Sequence, residues 1–296
     1  MKNAIKYYYN MNPAEIHRVN EKIKFNYNNK NYILYLTKKK KEELIEKYEL
    51  HQILLARGIY CHKIILNINN ELVTIINNNN YILLEVNVPN AMIEIKDIIY
   101  YSNVKIELGK FLHIQRQNWK KLWSDKINYF EYQINHFKQK YKKLNENSDY
   151  YIGIVENCIS LFNNIGCTYN YLSINHNRIN KKTTLEEFYN PLEFILDIRV
   201  RDIGEYIKSM ADKQLITLKQ ILNYKILNIN EIKQLFIRIL YPSSFFDICD
   251  DIIDKKINEY EIEKYEEGIE TREIEIKKIY HYIRSISDLP EIEWLN

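Results

Sequence analysis

Two short segments carry most of the chemistry this chain could perform. YLSINHNRINKK, from Tyr171 to Lys182, sets His176 and Arg178 just after an apolar, β-rich run. PLEFILDIRVRDIGEYIK closes a second such run with Asp197 and places Asp202 at a plausible helix N-cap. A carboxylate at a strand end beside a polar loop suits one divalent cation, because the strand fixes the backbone while the loop leaves the side chain wet. His176 could act there as a base or an orienting group. Each residue also has a structural role open to it. Asp is among the best helix caps, Asp197 could pair with Arg199 or Arg201, and a loop histidine commonly makes a structural hydrogen bond. Ser173 near His176 is rejected as a nucleophile, since no GxSxG elbow accompanies it. A GxxxxGK(S/T) phosphate loop is also missing, and no glycine precedes Gly58.

The remaining candidates read as structural. Cys61, Cys158, Cys167 and Cys249 stand singly, with no CxxC pair. That pattern fits small apolar residues in a reducing compartment better than a metal knuckle. Trp119 and Trp123, with Tyr129, Phe130 and Phe137 beyond them, form an aromatic stripe whose default role is core packing. The basic run Lys38 to Lys41 falls at a helix start, where the dipole disfavours cations. It reads as a solvated face, with an anion patch as the alternative. Glu259 to Glu275 reads as the outer face of surface helices.

Gly and Pro are so sparse, 6 and 5, that the elements must be read from hydrophobic period. Lys22 to Thr37 predicts two strands around an Asn/Lys turn, followed by a helix from Lys38 to Arg57 with Leu44, Tyr48, His51 and Leu55 on one face and Gly58 at its C-cap. Lys63 to Ile68, Glu71 to Ile76 and Tyr81 to Val86 predict a three-stranded meander turning at Asn69-Asn70 and Asn77 to Asn80. After Pro89 helices are expected over about 93–113, 119–144, 150–165 and a block over about 202–286, interrupted by a small strand pair, Tyr169 to Ile174 and Glu193 to Leu196. The division is therefore a β-rich N-terminal region, 1–88, with one helix, and a helical region, 89–296.

A chain of 296 residues with 46% apolar and 27% charged residues can bury a sizeable core, which excludes wholesale disorder. The net charge of +3, from 42 basic and 39 acidic residues, gives no nucleic-acid footprint. The 26 tyrosines and frequent Ile, Asn and Lys reflect AT-rich coding more than function. MKNAIKYYYNMNP has no apolar signal core, and no run approaches about eighteen apolar residues, so a soluble cytoplasmic chain without membrane contact is expected.

A small β-rich lobe with one helix, the apolar connector YILLEVNVPN, a helical lobe, a His-containing loop and a later strand-end Asp together resemble the protein-kinase-like fold of aminoglycoside and choline phosphotransferases. Within that superfamily the chain is similar to spore coat proteins of the CotS and YutH type. The similarity is carried by ELGKFLHIQRQNW with KLWSDKINYFE, by NHNRI with FYNPLEFILDIRVRDIGEYIK, by RILYPSSFFDICDDII and by the closing LPEIEWL. It runs from about Tyr32 to the C-terminus. The resemblance implies an α+β, two-lobed fold with a small N-lobe and a larger helical C-lobe, an ATP site between the lobes, and Mg²⁺ as the second cofactor.

Residue by residue, the resemblance also implies loss. The family's catalytic loop reads H-x-D-x-x-x-x-N, with the Asp accepting the substrate proton and the Asn helping to bind metal. His176 matches the His, but Arg178 stands at the Asp and Thr183 at the Asn. A cation cannot be the base, and its charge disfavours Mg²⁺ nearby. Asp197 matches the later metal-binding Asp, and Asp202 the carboxylate that braces it. The strand lysine expected to hold phosphates is missing from Asn31 to Thr37, a Gly-rich phosphate cover is missing, and Glu46 or Glu49, matching the ion-pair glutamate, reads as surface charge. Two readings stay open. One is a pseudokinase acting through other proteins, plausibly spore coat components. The other is an active ATP-dependent kinase for a small hydroxyl or amine, using Asp197 for metal and Glu186, Glu187 or His176 as base. In the first reading Arg178 could fill the vacancy by pairing with Asp197 or Asp202.

Overall fold

The computed structural model describes residues 1–137, 141–146, 148–166 and 169–296. Its first elements are α1 (Lys2–Tyr9), β1 (Ile16–Val19), β2 (Lys22–Tyr27), β3 (Lys30–Thr37), α2 (Lys41–Ala56), β4 (Lys63–Ile65), β5 (Thr74–Ile76) and β6 (Asn79–Val86). Then come α3 (Ile95–Ser102), β7 (Lys105–Glu107), α4 (Trp119–Phe137), α5 (Lys142–Glu146), α6 (Ser148–Ile165), β8 (Tyr171–His176), α7 (Leu185–Phe188) and β9 (Phe194–Asp197). The chain closes with α8 (Arg201–Lys208), α9 (Gln214–Leu222), α10 (Ile229–Leu240), α11 (Ser243–Ile253), α12 (Tyr260–Glu266) and α13 (Ile269–Ile286). Two compact units result. The first comprises Met1–Ile93, Gly109–Gln115 and Lys182–Ile195, and the second Glu94–Leu108, Arg116–Lys181 and Leu196–Asn296.

The first unit is built on an antiparallel sheet in the order β1-β2-β3-β6-β4, with β5 also on β6. Asn28 and Asn29 turn β2 into β3, and Asn77 and Asn78 turn β5 into β6, all four at positive φ. Asn tolerates that region better than most side-chain-bearing residues. The expected meander is corrected. Ile64 pairs with Leu84 and Ile75 with Asn80, so β4 and β5 lie end to end along the edge of β6 opposite β3. The Asn69-Asn70 segment makes no hairpin, because the Asn67 side chain accepts from the amides of Asn69 and Glu71 and closes the loop on itself. One sheet face packs Ile23, Phe25, Leu34 and Leu83 against Ile5 and Tyr9 of α1, a helix the sequence reading left out. The other packs Ile33, Tyr35, Ile82 and Leu84 against Leu44 of α2 and Leu192. On α2 the buried stripe is Leu44, Lys47, Leu50, His51 and Leu54, rotated from the expected one and carrying a lysine.

In the second unit the expected helix over 93–113 stops at Ser102. Asn103 Nδ2 donates to the Ile99 carbonyl, and the chain then enters β7, which pairs Ile106 with Leu172 of β8. The expected strand pair is thus a three-stranded sheet, β7-β8-β9. The expected helix over 119–144 is described as α4 and α5, with residues 138–140 outside the described set. Trp119, Trp123 and Phe130 of the stripe are buried, as core packing requires, while Tyr129 is exposed. The Phe137 side chain and Cys167 lie outside what is described. Cys61, Cys158 and Cys249 are buried free thiols. Among the described residues no helix is long and apolar enough to cross a membrane.

Candidate functional site

In the second unit, β8 from Leu172 onward and the end of β9 are buried and finish in polar residues, and this sets Asn175, His176 and Asp197 side by side in the interior. His176 is held at both ends by one carboxylate. Its amide donates to Asp202 Oδ1 at 3.1 Å and its Nδ1 lies 2.6 Å from Asp202 Oδ2. Asn175 Oδ1 accepts the Asp202 amide, and its Nδ2 donates to the carbonyls of Ser173 and Asp197. Asp202 is therefore not the helix cap. Val200 holds that position, and Asp202 lies in the first turn of α8, facing inward.

Asp197 has 0% exposure, and its carboxylate is engaged on both oxygens. Oδ1 accepts the Trp119 indole N–H at 2.9 Å and the Ile198 amide at 2.7 Å, while Oδ2 accepts Arg201 Nη1 at 2.7 Å. Burial pushes this carboxyl up, against the pull of Arg201. Of the two arginines weighed as its partner, Arg201 is the one engaged. Arg199 instead binds the carbonyls of Ser102 and Ile226.

The pairing considered for Arg178 is corrected. Its guanidinium forks onto Asp247 of α11, with Nε 2.7 Å from Oδ2 and Nη2 on Oδ1. Asp202 and Asp197 already have their donors, and Arg178 pairs with a carboxylate outside that cluster. Beside Arg201 lies a buried ion cluster that sequence reasoning missed. Arg238 Nη2 and Lys208 Nζ approach Glu205 Oε1 at 2.6 and 2.8 Å, and Ser243 Oγ donates to Oε2 at 3.0 Å. Burial alone would raise the Glu205 carboxyl, but Arg238 and Lys208 hold it well below the carboxylate range. The available signal was Arg238 inside the apolar run LFIRIL.

The first unit carries cations near the lysine-free stretch Asn31 to Thr37. Lys22 and Lys24 of β2 pair in register with Tyr35 and Ile33, so all four side chains share the face that packs α2. Glu186 of α7 meets Lys24 at 2.6 Å and Lys22 at 3.4 Å. Lys47 of α2 is completely buried, its Nζ 2.6 Å from the Phe194 carbonyl and 3.4 Å from Glu43. Burial, reinforced by Lys39, pushes Lys47 down to about 8. Its signal was helical spacing: Lys47 stands three residues from both Leu44 and Leu50. Glu46, expected to be surface charge, instead receives the amides of Leu112, His113 and Ile114 at 2.8–3.1 Å and so fixes the 109–115 loop.

This geometry can be set against known proteins. A family model described as "Spore coat putative kinase YutH" matches residues 2–285. The chain belongs to that family. No curated protein matches its sequence. Among solved structures it is similar to an aminoglycoside phosphotransferase from Alicyclobacillus acidocaldarius, at 7% identity and TM-score 0.66, covering 96% of each chain. It is also similar to the aminoglycoside phosphotransferase APH(2")-IIIa in its GDP and kanamycin complex, at 11% identity and TM-score 0.61, covering 93% of this chain and 97% of that one. Spectinomycin phosphotransferase APH(9)-Ia, in complex with ADP and spectinomycin, is a third, at 12% identity and TM-score 0.57 over 92% of each. At these identities the likeness is one of fold. The kinase-like fold and YutH-type resemblance read from the sequence are both borne out. This YutH-family chain therefore combines a phosphotransferase-like fold with a buried, internally bonded Asp197.

Proposed function

We propose that the chain is a pseudokinase: a phosphotransferase-like scaffold that does not transfer phosphate and serves as a protein-interaction component of the spore coat or its assembly. Asp197 carries this reading. A carboxylate that is to hold Mg²⁺ must offer lone pairs to the cation, whereas both oxygens of Asp197 already accept from Trp119, Ile198 and Arg201. A guanidinium 2.7 Å away adds a positive charge where a divalent cation would have to sit. The residues as arranged do not fit Mg²⁺. Arg178, at the proton-acceptor position of the H-x-D loop, has no basic lone pair to offer and is paired with Asp247. Positioning and charge stabilisation supply nearly all of the catalysis in phosphoryl transfer, so losing both the base and the metal ligand removes most of it. Synthesis in the cytoplasm followed by deposition in the coat accords with the family and with partners that are other proteins.

The purified chain, incubated with Mg·ATP and candidate hydroxyl, amine or protein acceptors, is expected to show no turnover above an Asp197→Ala control. Robust turnover lost in that control would overturn the proposal. The second reading, an ATP-dependent phosphotransferase for a small hydroxyl or amine, draws on the lysines Lys22, Lys24 and Lys47, which lie on or behind one sheet face of the first unit. The similar structures were solved with AMP, ADP or GDP. A Mg²⁺-dependent rise in Tm with ATP, abolished by Asp197→Ala, would favour that reading.

A further inference from the structure

Where α6, α10 and α13 of the second unit meet the end of α8 and the start of α9, they leave a cavity of about 80 Å³. That is several times the ~10–15 Å³ one water needs and about half the ~150 Å³ that holds benzene, so roughly three to five heavy atoms fit. Much of its wall is apolar: Ile154 of α6, Ile239 and Leu240 of α10, and Ile269 and Ile276 of α13. It shares no residue with the cluster of His176, Asp197 and Asp202.

Most polar side chains on that wall are already engaged. Lys208 Nζ donates to the Tyr241 carbonyl at 3.0 Å and to Ser243 Oγ at 2.7 Å, and it pairs with Glu205. The Tyr150 hydroxyl donates to Glu273, the Tyr265 and Ser244 hydroxyls meet at 2.9 Å, and Arg272 Nη2 donates to the Tyr265 carbonyl at 2.6 Å. Two groups are left over. The Tyr151 hydroxyl and Gln214 Oε1, on residues 2% and 6% exposed, are buried without a hydrogen-bond partner among the described residues. The Arg272 charge bears on the Tyr151 oxygen but no hydrogen bond closes between them, and the O–H stays an unused donor. Buried polar groups are nearly always paired, and those that are not call for an explanation. Here one cavity wall carries a spare donor and a spare acceptor. Lys208 and Arg272 on the same wall oppose a cation and Glu273 opposes an anion, so the complementary ligand is uncharged.

We infer that this cavity binds a small uncharged molecule with a short apolar body and an amide head, whose carbonyl accepts from the Tyr151 hydroxyl and whose N–H donates to Gln214 Oε1. The inference concerns binding in the second unit and holds whether or not phosphate is transferred.

Ligand-observed NMR titration of the full chain with propionamide tests it, with propionate and propylamine as charged counterparts. Propionamide should bind in the millimolar range, the scale open to so small a ligand, and each charged counterpart at least about tenfold more weakly. Tyr151→Phe and Gln214→Leu should each weaken propionamide about tenfold, the scale of one hydrogen bond. Tyr151→Phe should nevertheless melt no lower than the wild type, since it discards an unsatisfied group. Ile154→Phe fills the cavity and should abolish binding. If that variant fails to fold by circular dichroism, the other two decide. Absence of propionamide binding, binding that survives Tyr151→Phe or Ile154→Phe undiminished, or equal binding of propionate would overturn the inference. So would a Tyr151→Phe Tm several degrees below the wild type, because the hydroxyl would then be satisfied inside the chain.

Discussion

Lys47 offers a direct measurement of how the first unit treats charge. Its ammonium is completely buried, donates to the Phe194 carbonyl at 2.6 Å, and has Glu43 at 3.4 Å as its nearest carboxylate. Burial, with Lys39 nearby, lowers it from 10.5 to about 8 despite Glu43 and Glu193. The folded state therefore gives up this proton before the unfolded state does. Between pH 8 and 10.5 the unfolded chain holds more protons, so stability must rise with pH across that window and be flat on either side of it. At ~1.4 kcal/mol for each tenfold step, the span from 10.5 to about 8 corresponds to ~3 kcal/mol. Lys47→Met keeps the volume and abolishes the titration. Urea unfolding of both proteins at intervals from pH 7 to 10.5, followed by far-ultraviolet circular dichroism, gives a difference from which shared tyrosine and lysine titrations cancel. The wild type should gain about 3 kcal/mol on the variant over the window. A flat difference, or one of opposite sign, would refute the burial argument.

Three other outcomes follow from single contacts. A Cβ at Gly204 would lie 2.7 Å from Arg238 Cγ, and Glu205 pins that side chain, so Gly204→Ala should cost ~1–3 kcal/mol and lower Tm by several degrees in a thermal melt. Arg178→Asp sets two carboxylates together where the existing pair is 57% and 39% exposed, so it should cost no more than ~1 kcal/mol and restore no phosphotransfer. A loss above ~3 kcal/mol would instead assign Arg178 a buried role. His51 accepts the Ile64 amide and His62 meets a carbonyl, and burial pushes both down to about 4. The unfolded state takes up these protons from about pH 6.5 downward and the folded state resists, so stability should fall as pH drops from 6.5 toward 4, by roughly 3 kcal/mol per histidine. His62→Gln should reduce that acid loss in urea titrations.

Strand identity was legible wherever apolar alternation and Asn turns coincided, as in β2, β3 and β6, because both signals are local. Partnership was less so: β4 and β5 share an edge of β6 instead of forming a meander, and only the register reveals which edge was open. The helix expected through residue 113 failed since ELGKFLHIQ keeps an apolar content that helix and strand share, and the Asn103 cap that ends α3 is one polar residue among many. At the candidate site, the residue types were legible and the partners were not. Nothing in the spacing tells Asp197 to choose Arg201 over Arg199, or Arg178 to choose Asp247, sixty-nine residues away. The pairing of Lys22 with Tyr35 is a cross-strand relation, and reading Asn31 to Thr37 by itself cannot find it.

In each unit, buried or half-buried charge is met by another group of the same chain. Arg201 answers Asp197, Arg238 and Lys208 answer Glu205, Glu186 answers Lys22 and Lys24, and Glu43 with the Phe194 carbonyl answers Lys47. A metal-dependent site works differently: its carboxylates repel one another until the cation arrives, and so the ligand contributes to folding stability by mass action. Here removal of metal should leave nothing uncompensated. Differential scanning calorimetry in excess EDTA and in millimolar Mg²⁺ should accordingly give Tm values that agree within about 1 °C. Arg201→Met then supplies the contrast, because it strips Asp197 of its counter-charge inside the core, a change that typically costs 3–5 kcal/mol. If Mg²⁺ stabilised the wild type by several degrees, the internal partners would not be sufficient, and Asp197 would have to release Arg201 to hold the ion.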